Sequence, residues 1–309
     1  MEEKILLLGG FGFIGKNIVE MWDAYYDLVI IDKNIDDEFT KRNPHLRYYQ
    51  YDFSNQEEFE KIISHEKPQY IINLISIVTS ERDLNLFPSM IKSNINILLN
   101  VYELVKNLES LKLLIQIGSG EEYGNISSPF KETDKEYPSS PYAIVKLATT
   151  NTALMLNRNY NFPICVVRPA NIFGKYQEKN KFVPYVIESL KKNKSINMTL
   201  GNQKRDLIYV KDFLFLLKSL MINSDKVLGK VINIGSSGSV TLKEIVLYLK
   251  KIMKSSSTLN FGAIPHRENE IMDFLLDDSR LYQIIEKKSK LNILEKISEY
   301  IGDNNEIFY

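Results

Sequence analysis

The sequence predicts an α/β fold in which a doubly wound parallel sheet is joined to a smaller C-terminal domain. In the first half of the 309 residues, short apolar runs alternate with longer amphipathic stretches, as βαβ units require. The apolar runs are rich in Ile, Leu, Val and Tyr, which is typical of parallel strands covered by helices on both faces. A chain of this length can bury the cores of two intimately joined domains.

Six apolar runs are predicted to form the strands of the sheet, at residues 5–8, 28–31, 47–51, 70–74, 113–117 and 164–167. Apolar residues near every third or fourth position predict the intervening helices at residues 17–25, 56–66, 89–108 and 142–159. Later elements are predicted as a helix at 184–192, a strand at 198–200, a strand and helix within 206–222, and a strand at 231–234. We expect the remainder to be helical with loops.

The pattern changes near residue 173, which divides the chain into two predicted domains. Residues 1–172 form the first domain, and the strands and helix within 207–236 return to it. Residues 173–206 and 237–309 form the smaller second domain.

The composition excludes several classes of function. The 39 basic residues balance 39 acidic ones, so no net field attracts nucleic acid or an anionic membrane. Cys165 is the only cysteine, which excludes a disulfide within the chain, and the three histidines show no metal-ligand spacing. The apolar run at residues 5–8 is too short for a signal sequence or a membrane span. We expect a soluble cytoplasmic protein without a metal.

A glycine-rich turn follows the first predicted strand and opens the first helix. Gly9, Gly12 and Gly15 allow a tight turn, a close backbone approach to a pyrophosphate, and close packing of helix on strand. Phe13 and Ile14 lie at the N-terminus of this helix, where unpaired N–H groups and the positive end of the helix dipole favour phosphate. The glycines alone could make an ordinary turn, but in this position they predict a dinucleotide-binding Rossmann domain.

Asp32 lies at the end of the second predicted strand, 20 residues beyond Gly12. A carboxylate at this position accepts hydrogen bonds from the 2′ and 3′ hydroxyls of a ribose and repels a 2′-phosphate. The sequence therefore favours NAD(H), with NADP(H) as the other possibility. Asp52 and Phe53 follow the third strand and are candidate adenine contacts, although an aspartate at a strand end is commonly part of a turn.

A second set of residues points to proton transfer. Tyr142 and Lys146 are four residues apart on a predicted helix, so their side chains share one face. An ammonium near a phenol stabilises the phenolate, and this predicts a lowered pKa for Tyr142. Ser119 follows the fifth strand, at the sheet edge where parallel sheets bind ligands. A Tyr-x-x-x-Lys pair is frequent on helices, but behind a dinucleotide turn it indicates catalysis.

The sequence resembles the extended short-chain dehydrogenase/reductases of the NAD-dependent epimerase/dehydratase type over nearly its whole length. The similar segments, in the family's order, are residues 8–15, 119–124, 141–146, 168–174, 205–212 and 267–270. Leu8 stands where the family has threonine. The resemblance implies that the first domain binds NAD(P) and the second a nucleotide-sugar. Three further residues complete the candidate cofactor contacts: Leu74, Asn94 and Pro169.

The same resemblance implies that Asn171, Arg205 and Arg267 bind the diphosphate of a nucleotide-sugar, which guanidinium groups suit. Structural ion pairs of these arginines with Asp206 and Glu270 are the other interpretation. Family members often dimerise through the helices predicted at 89–108 and 142–159, so a homodimer is expected.

The residues that follow Ser119 distinguish between the reactions that the family catalyses. Family 4,6-dehydratases often carry an Asp-Glu pair directly after this position, whereas this chain has Gly120 and Glu121. Glu121 could be a base, but Gly120 cannot be an acid. The resemblance is strongest to reductases of nucleotide-linked 4-keto-6-deoxyhexoses, with Ser119, Tyr142, Lys146 and Glu121 as catalytic residues. A nucleotide-sugar 4-epimerase, a 4,6-dehydratase and a non-catalytic NAD-binding protein are the alternatives, in that order.

Overall fold

The computed structural model describes residues 3–52, 56–79, 81–286 and 291–303. Its strands, in chain order, are β1 (Lys4–Leu8), β2 (Asp27–Asp32), β3 (Arg47–Gln50), β4 (Tyr70–Asn73), β5 (Leu113–Ile117), β6 (Ile164–Pro169), β7 (Asn171–Phe173), β8 (Ile196–Met198), β9 (Lys204–Arg205), β10 (Leu207–Tyr209), β11 (Val231–Ile234), β12 (Val240–Thr241), β13 (Leu259–Phe261) and β14 (Asp273–Phe274). Seven of these form one parallel sheet in the order β11-β6-β5-β4-β1-β2-β3.

The α-helices are α1 (Phe13–Trp22), α2 (Asp37–Arg42), α3 (Gln56–Glu66), α4 (Phe87–Ile91), α5 (Ile97–Val105), α6 (Pro141–Tyr160), α7 (Phe182–Lys191), α8 (Val210–Ile222), α9 (Ser224–Val227), α10 (Leu242–Ile252), α11 (Ser279–Ile285) and α12 (Ile293–Asp303). They cover both faces of the sheet. Along β1, Ile5 and Leu7 point into one apolar core, while Leu6 and Leu8 point into the other. The predicted doubly wound parallel sheet is therefore confirmed.

Two predicted helices differ from the observed ones. The first begins at Phe13 rather than at residue 17, because Gly12 is already its N-cap and the glycine turn leads straight into it. The helix predicted at 89–108 is divided by a π-helical turn at Lys92–Asn96, which widens the helix around Asn94. A wider turn at this point changes the direction of the side chains that face α6.

The second half contains strands where the sequence predicted helices and loops. β12, β13 and β14 are two or three residues long and pair with β9 or β8, and the strand predicted at 198–200 lies at Ile196–Met198. Strands this short leave no periodic signal in the sequence. Their pairing matters for the site, because β14 places Phe274 directly opposite Arg205.

Candidate active site

The glycine turn between β1 and α1 fits the backbone of a dinucleotide. Gly9 has a φ of +77°, which a residue with a side chain rarely adopts. A Cβ on Gly15 would lie 2.3 Å from the carbonyl oxygen of Gly10, so only glycine allows the helix to pack this closely. Phe13 and Ile14 form the first turn of α1 without a side-chain cap at Gly12, which leaves its N–H groups available to an anion.

Asp32 ends β2 beside this turn. Its carboxylate accepts hydrogen bonds from the backbone N–H of Phe11 at 3.0 Å and of Asn34 at 3.1 Å. It lines a surface pocket of about 550 Å³ together with Phe11 and Gly12. Its position therefore fits a ribose next to the phosphate turn. Asp52 is exposed just beyond β3, and Phe53 lies outside the described residues.

The other candidate cofactor contacts lie along the same edge of the sheet. Leu74 follows β4 and donates its N–H to Leu8 O at 2.9 Å, and Pro169 is the last residue of β6. Asn94, in the π-helical turn, is buried and donates its amide to Met90 O at 2.9 Å. Its Oδ1 is buried with no hydrogen-bond partner in the described part of the chain, as expected of a group that receives a ligand or a water.

Ser119, Tyr142 and Lys146 come together at the carboxyl end of β5. The Tyr142 side chain hydrogen-bonds that of Ser119, and the Lys146 ammonium lies 5.9 Å from the centroid of the Tyr142 ring. Lys146 donates to Ile117 O at 2.8 Å, and Ser119 Oγ accepts from the Glu121 N–H at 3.2 Å. Ser140 Oγ accepts a hydrogen bond from the N–H of Ala143 at 3.1 Å. This N-cap stabilises the start of α6, the helix that carries Tyr142 and Lys146.

Burial dominates the electrostatics of this trio. It raises the pKa of Tyr142 well above its usual value, against the lowering effect of the hydrogen bond to Ser119. Burial also lowers the pKa of Lys146 to about 8, while Glu122 acts in the opposite direction. The expectation that Lys146 lowers the pKa of Tyr142 is therefore not met, because desolvation of the phenolate is the larger effect. Burial therefore favours the protonated phenol of Tyr142.

Glu121 faces the arginines predicted to bind substrate. Burial raises the pKa of its carboxyl, and the nearby charges of Arg205 and Arg267 oppose that shift. Arg205 forms an ion pair with Glu270 and donates to Ile271 O at 2.7 Å. Arg267 is exposed in the loop before Glu270. The two arginines thus converge on the region in front of Glu121.

The structural ion-pair interpretation holds in part for these residues. Arg205 does pair with Glu270, but Asp206 instead accepts hydrogen bonds from Ser236, from its N–H at 2.9 Å and its hydroxyl at 2.7 Å. Asn171 lies in β7 and donates its amide to Asp206 O at 3.3 Å. Arg205 therefore pairs with Glu270 and the backbone while its charge still acts on Glu121, and the amide of Asn171 is engaged with the backbone.

The space beside Gly120 is filled by an aromatic ring. A Cβ on Gly120 would lie 2.5 Å from Cζ of Phe274 and 3.2 Å from Cδ2 of Leu276. A larger side chain at this position requires Phe274 to move. With Phe274 and Leu276 in these positions, a second acid directly after Ser119 would not fit.

Sequence reasoning missed a buried ion pair behind Ser119. Glu122 is fully buried, and its carboxylate binds Arg168 at 2.7 Å and the Ser119 N–H at 2.8 Å. Arg168 also pairs with Glu136 at 2.8 Å. The only signal in the sequence was an acidic residue in the segment after β5 and an arginine at the end of β6, which are 46 residues apart.

Comparison with known proteins identifies the family. The model of the NAD dependent epimerase/dehydratase family matches residues 5–235. The chain belongs to this family. One relative is the CDP-abequose synthase of Salmonella typhimurium, which is 27% identical over 91% of this chain and 92% of its own length. The dTDP-4-dehydro-6-deoxyglucose reductase of Escherichia coli is 26% identical, over 84% of this chain and 85% of its own length.

The solved structures agree on the fold. UDP-glucose 4-epimerase of Thermotoga maritima superposes with a TM-score of 0.89 at 23% identity, covering 99% of this chain and 100% of that one. Membership confirms the predicted enzyme class, that of nucleotide-sugar oxidoreductases, epimerases and dehydratases, and the NAD dependence of the family. Within the described ranges, no helix could cross a membrane and no group of three or more side chains could hold a metal ion.

Proposed function

We propose that this protein reduces the C4 ketone of a nucleotide-linked 4-keto-6-deoxyhexose with NAD(P)H. The observation that carries the proposal is a pair of proton donors at one point, the Ser119 hydroxyl and the Tyr142 phenol, with Glu121 next to Ser119. A ketone oxygen only accepts hydrogen bonds, so it suits such a pair. An alcohol awaiting oxidation needs a base instead.

Each residue has a distinct role in this reaction. Tyr142 donates the proton to the C4 oxygen, Ser119 hydrogen-bonds the same oxygen, and Lys146 supports Tyr142 and binds the nicotinamide ribose. Glu121 contacts the sugar. The glycine turn, Asp32 and Asn94 hold the cofactor, which supplies the hydride when bound. Asn171, Arg205 and Arg267 bind the diphosphate.

The surroundings of Gly120 support reduction over dehydration. Removal of water from the sugar requires an acid for the departing hydroxyl, and Phe274 fills the space beside Gly120 where such an acid would stand. Reduction needs only one hydride, which NAD(P)H would supply, and one proton, which Tyr142 can supply.

The domain division and the assembly are part of the proposal. Residues 1–172 with 207–236 bind NAD(P), and residues 173–206 with 237–309 bind the nucleotide-sugar. A homodimer forms through the helices within 89–108 and 142–159, whose outer faces expose Leu99 to 37% and Ile144 to 40%. Apolar side chains exposed on adjacent helices favour such a contact.

The test is a screen of CDP-, dTDP-, GDP- and UDP-linked 4-keto-6-deoxyhexoses with NADH and NADPH. We expect one of them to gain two mass units while nicotinamide absorbance falls at the same rate. The Tyr142→Phe chain is the control for contaminating reductases. If no ketone in the screen consumes reduced cofactor, the reductase proposal is wrong.

A 4-epimerase is the second candidate, and Asp32 is the observation that favours it. A carboxylate at the ribose selects NAD, and an epimerase keeps NAD bound throughout its cycle. The same Ser119 and Tyr142 would serve both of its half-reactions. NAD that copurifies with the protein, together with isomerisation of a sugar nucleotide without added cofactor, would decide for this candidate.

We expect Asp32→Asn to lower the KM for NADPH by about tenfold, since the change removes a negative charge that repels the 2′-phosphate. The KM for NADH should change much less, because an amide still hydrogen-bonds the ribose. Steady-state kinetics with both cofactors measure the two effects. Asp37→Asn is the matched control, because Asp37 is an exposed acid at the rim of the same pocket. An unchanged preference in Asp32→Asn would show that Asp32 does not contact the ribose.

A further inference from the structure

Glu122 is a buried acid for which the proposed reaction has no direct use. It lies in the 3-10 turn Gly120–Tyr123 that follows Ser119, and it is 0% exposed. One carboxylate oxygen, Oε1, accepts the N–H of Ser119 at 2.8 Å. The other, Oε2, accepts from the Thr150 hydroxyl and from Arg168 Nε, each at 2.8 Å. Every bond of this carboxylate thus leads to another element of the site.

The sequence around Glu122 leaves room for this arrangement. A Cβ on Gly118 would lie 2.5 Å from Glu122 Oε1, so a larger residue there would push the carboxylate away. Thr150 comes from α6, the helix of Tyr142 and Lys146, and Arg168 comes from β6. Glu122 therefore connects the Ser119 segment, the catalytic helix and the neighbouring strand.

The charges of this cluster do not cancel. Arg168 is shared by Glu122 and by Glu136, at 2.7 Å and 2.8 Å, so two carboxylates surround one guanidinium. Thr150, which donates to Glu122 at 2.8 Å, lies four residues beyond Lys146 on α6, so the Glu122 carboxylate lies against the same face of this helix as Lys146. Among the described residues, the titratable groups near the Lys146 ammonium are Tyr142 from its own helix and Glu122 from the turn after β5, and the ammonium donates to Ile117 O of β5 at 2.8 Å.

We propose that Glu122 is a positioning residue that fixes Ser119 through its backbone N–H and supplies the negative charge that keeps Lys146 an ammonium inside the protein. The inference rests on the proposed function, because it takes Ser119 and Lys146 as parts of the catalytic machinery. Burial alone lowers the pKa of Lys146, and Glu122 raises it. Loss of the Glu122 charge therefore deprotonates Lys146 at a lower pH.

Two substitutions separate the two roles. Glu122→Gln removes the charge but keeps an oxygen for the Ser119 N–H, whereas Glu122→Asp keeps the charge but withdraws it from Ser119. Glu136→Gln is the matched control, because it also removes a carboxylate from Arg168 but at a partly exposed position with no direct effect on Lys146. Circular dichroism and the Tm establish that each chain is folded.

Lys146 is titrated directly by NMR on lysine-labelled protein, with its signal assigned from a Lys146→Arg chain, so this readout does not depend on turnover. We expect Glu122→Gln to lower the titration midpoint of Lys146 by about one unit and to move the alkaline limb of kcat/KM with it. Glu136→Gln should leave both in place. An unmoved midpoint in the folded Glu122→Gln chain would overturn the charge role.

For Glu122→Asp we expect a kcat about tenfold lower with an unchanged Lys146 midpoint. A kcat equal to that of the unchanged protein would overturn the positioning role, and this variant decides the question if Glu122→Gln does not fold. If the Lys146 midpoint shifts as expected but the unchanged protein reduces no keto-sugar, then the proposed function fails while the charge role of Glu122 stands.

Discussion

Replacement of Tyr142 with phenylalanine is expected to lower kcat by about a thousandfold, because general acid catalysis by a positioned side chain contributes roughly 10²–10⁴-fold. Burial holds the pKa of Tyr142 high, so the phenol is protonated at neutral pH. The substitution removes the hydroxyl that would donate the proton. KM should change little, since the ring remains in place. Steady-state kinetics on the ketone found in the screen measure both constants.

The control for this substitution lies on the same helix. Tyr160 is the last residue of α6 and is 59% exposed. The Tyr160→Phe substitution should leave kcat unchanged. A Tyr142→Phe chain with a kcat within threefold of the unchanged protein would contradict the assignment of Tyr142 as proton donor. Ser119 or a water would then have to supply the proton.

Arg168→Met is expected to reduce the free energy of unfolding by about 3–5 kcal/mol, the usual effect of leaving a buried charge without its partner. Arg168 is 1% exposed and is paired with Glu122, which is fully buried. Its guanidinium also lies 4.6 Å from the centroid of the Tyr123 ring, so packing is lost with the charge. Urea denaturation followed by circular dichroism measures the loss.

A double variant separates the charge from the packing. When Glu122→Gln is combined with Arg168→Met, the core no longer holds the unpaired Glu122 carboxylate but keeps an acceptor for the Ser119 N–H, and most of the lost stability should return. Glu136 is partly exposed and can be solvated in both chains. A double variant that is less stable than Arg168→Met alone would show that the ion pair is not the source of the loss.

The strands of the main sheet could be predicted from the sequence because each is a buried run of apolar residues. The six predicted between residues 5 and 167 agree with β1 to β6 within two residues at each end. The small strands of the second half could not be predicted. β9, β12 and β14 are two residues long, and their pairing depends on contacts between distant parts of the chain.

The parts of the candidate site that could be predicted are those in which one short segment carries several of the functional residues. The glycine turn and the Tyr142 and Lys146 pair have fixed spacings, so local geometry brings their members together. The Glu122 to Arg168 pair and the contact of Phe274 with Gly120 join residues far apart in sequence. The predicted direction of the Tyr142 pKa shift was wrong for a related reason, because the burial that raises this pKa depends on the whole fold.

The position of β11 has a consequence for the nascent chain. The strand β6 has its second neighbour only when residues 231–234 have been synthesised, since Val231–Ile234 pairs with it along that edge. Until then one edge of a buried apolar strand is open to pairing with another chain. The same late strand brings Asn233, whose Oδ1 accepts the hydroxyl of Tyr123 at 2.8 Å. A ribosome-bound fragment that stops short of Asn233 should therefore need a chaperone and should lack an ordered Ser119 segment.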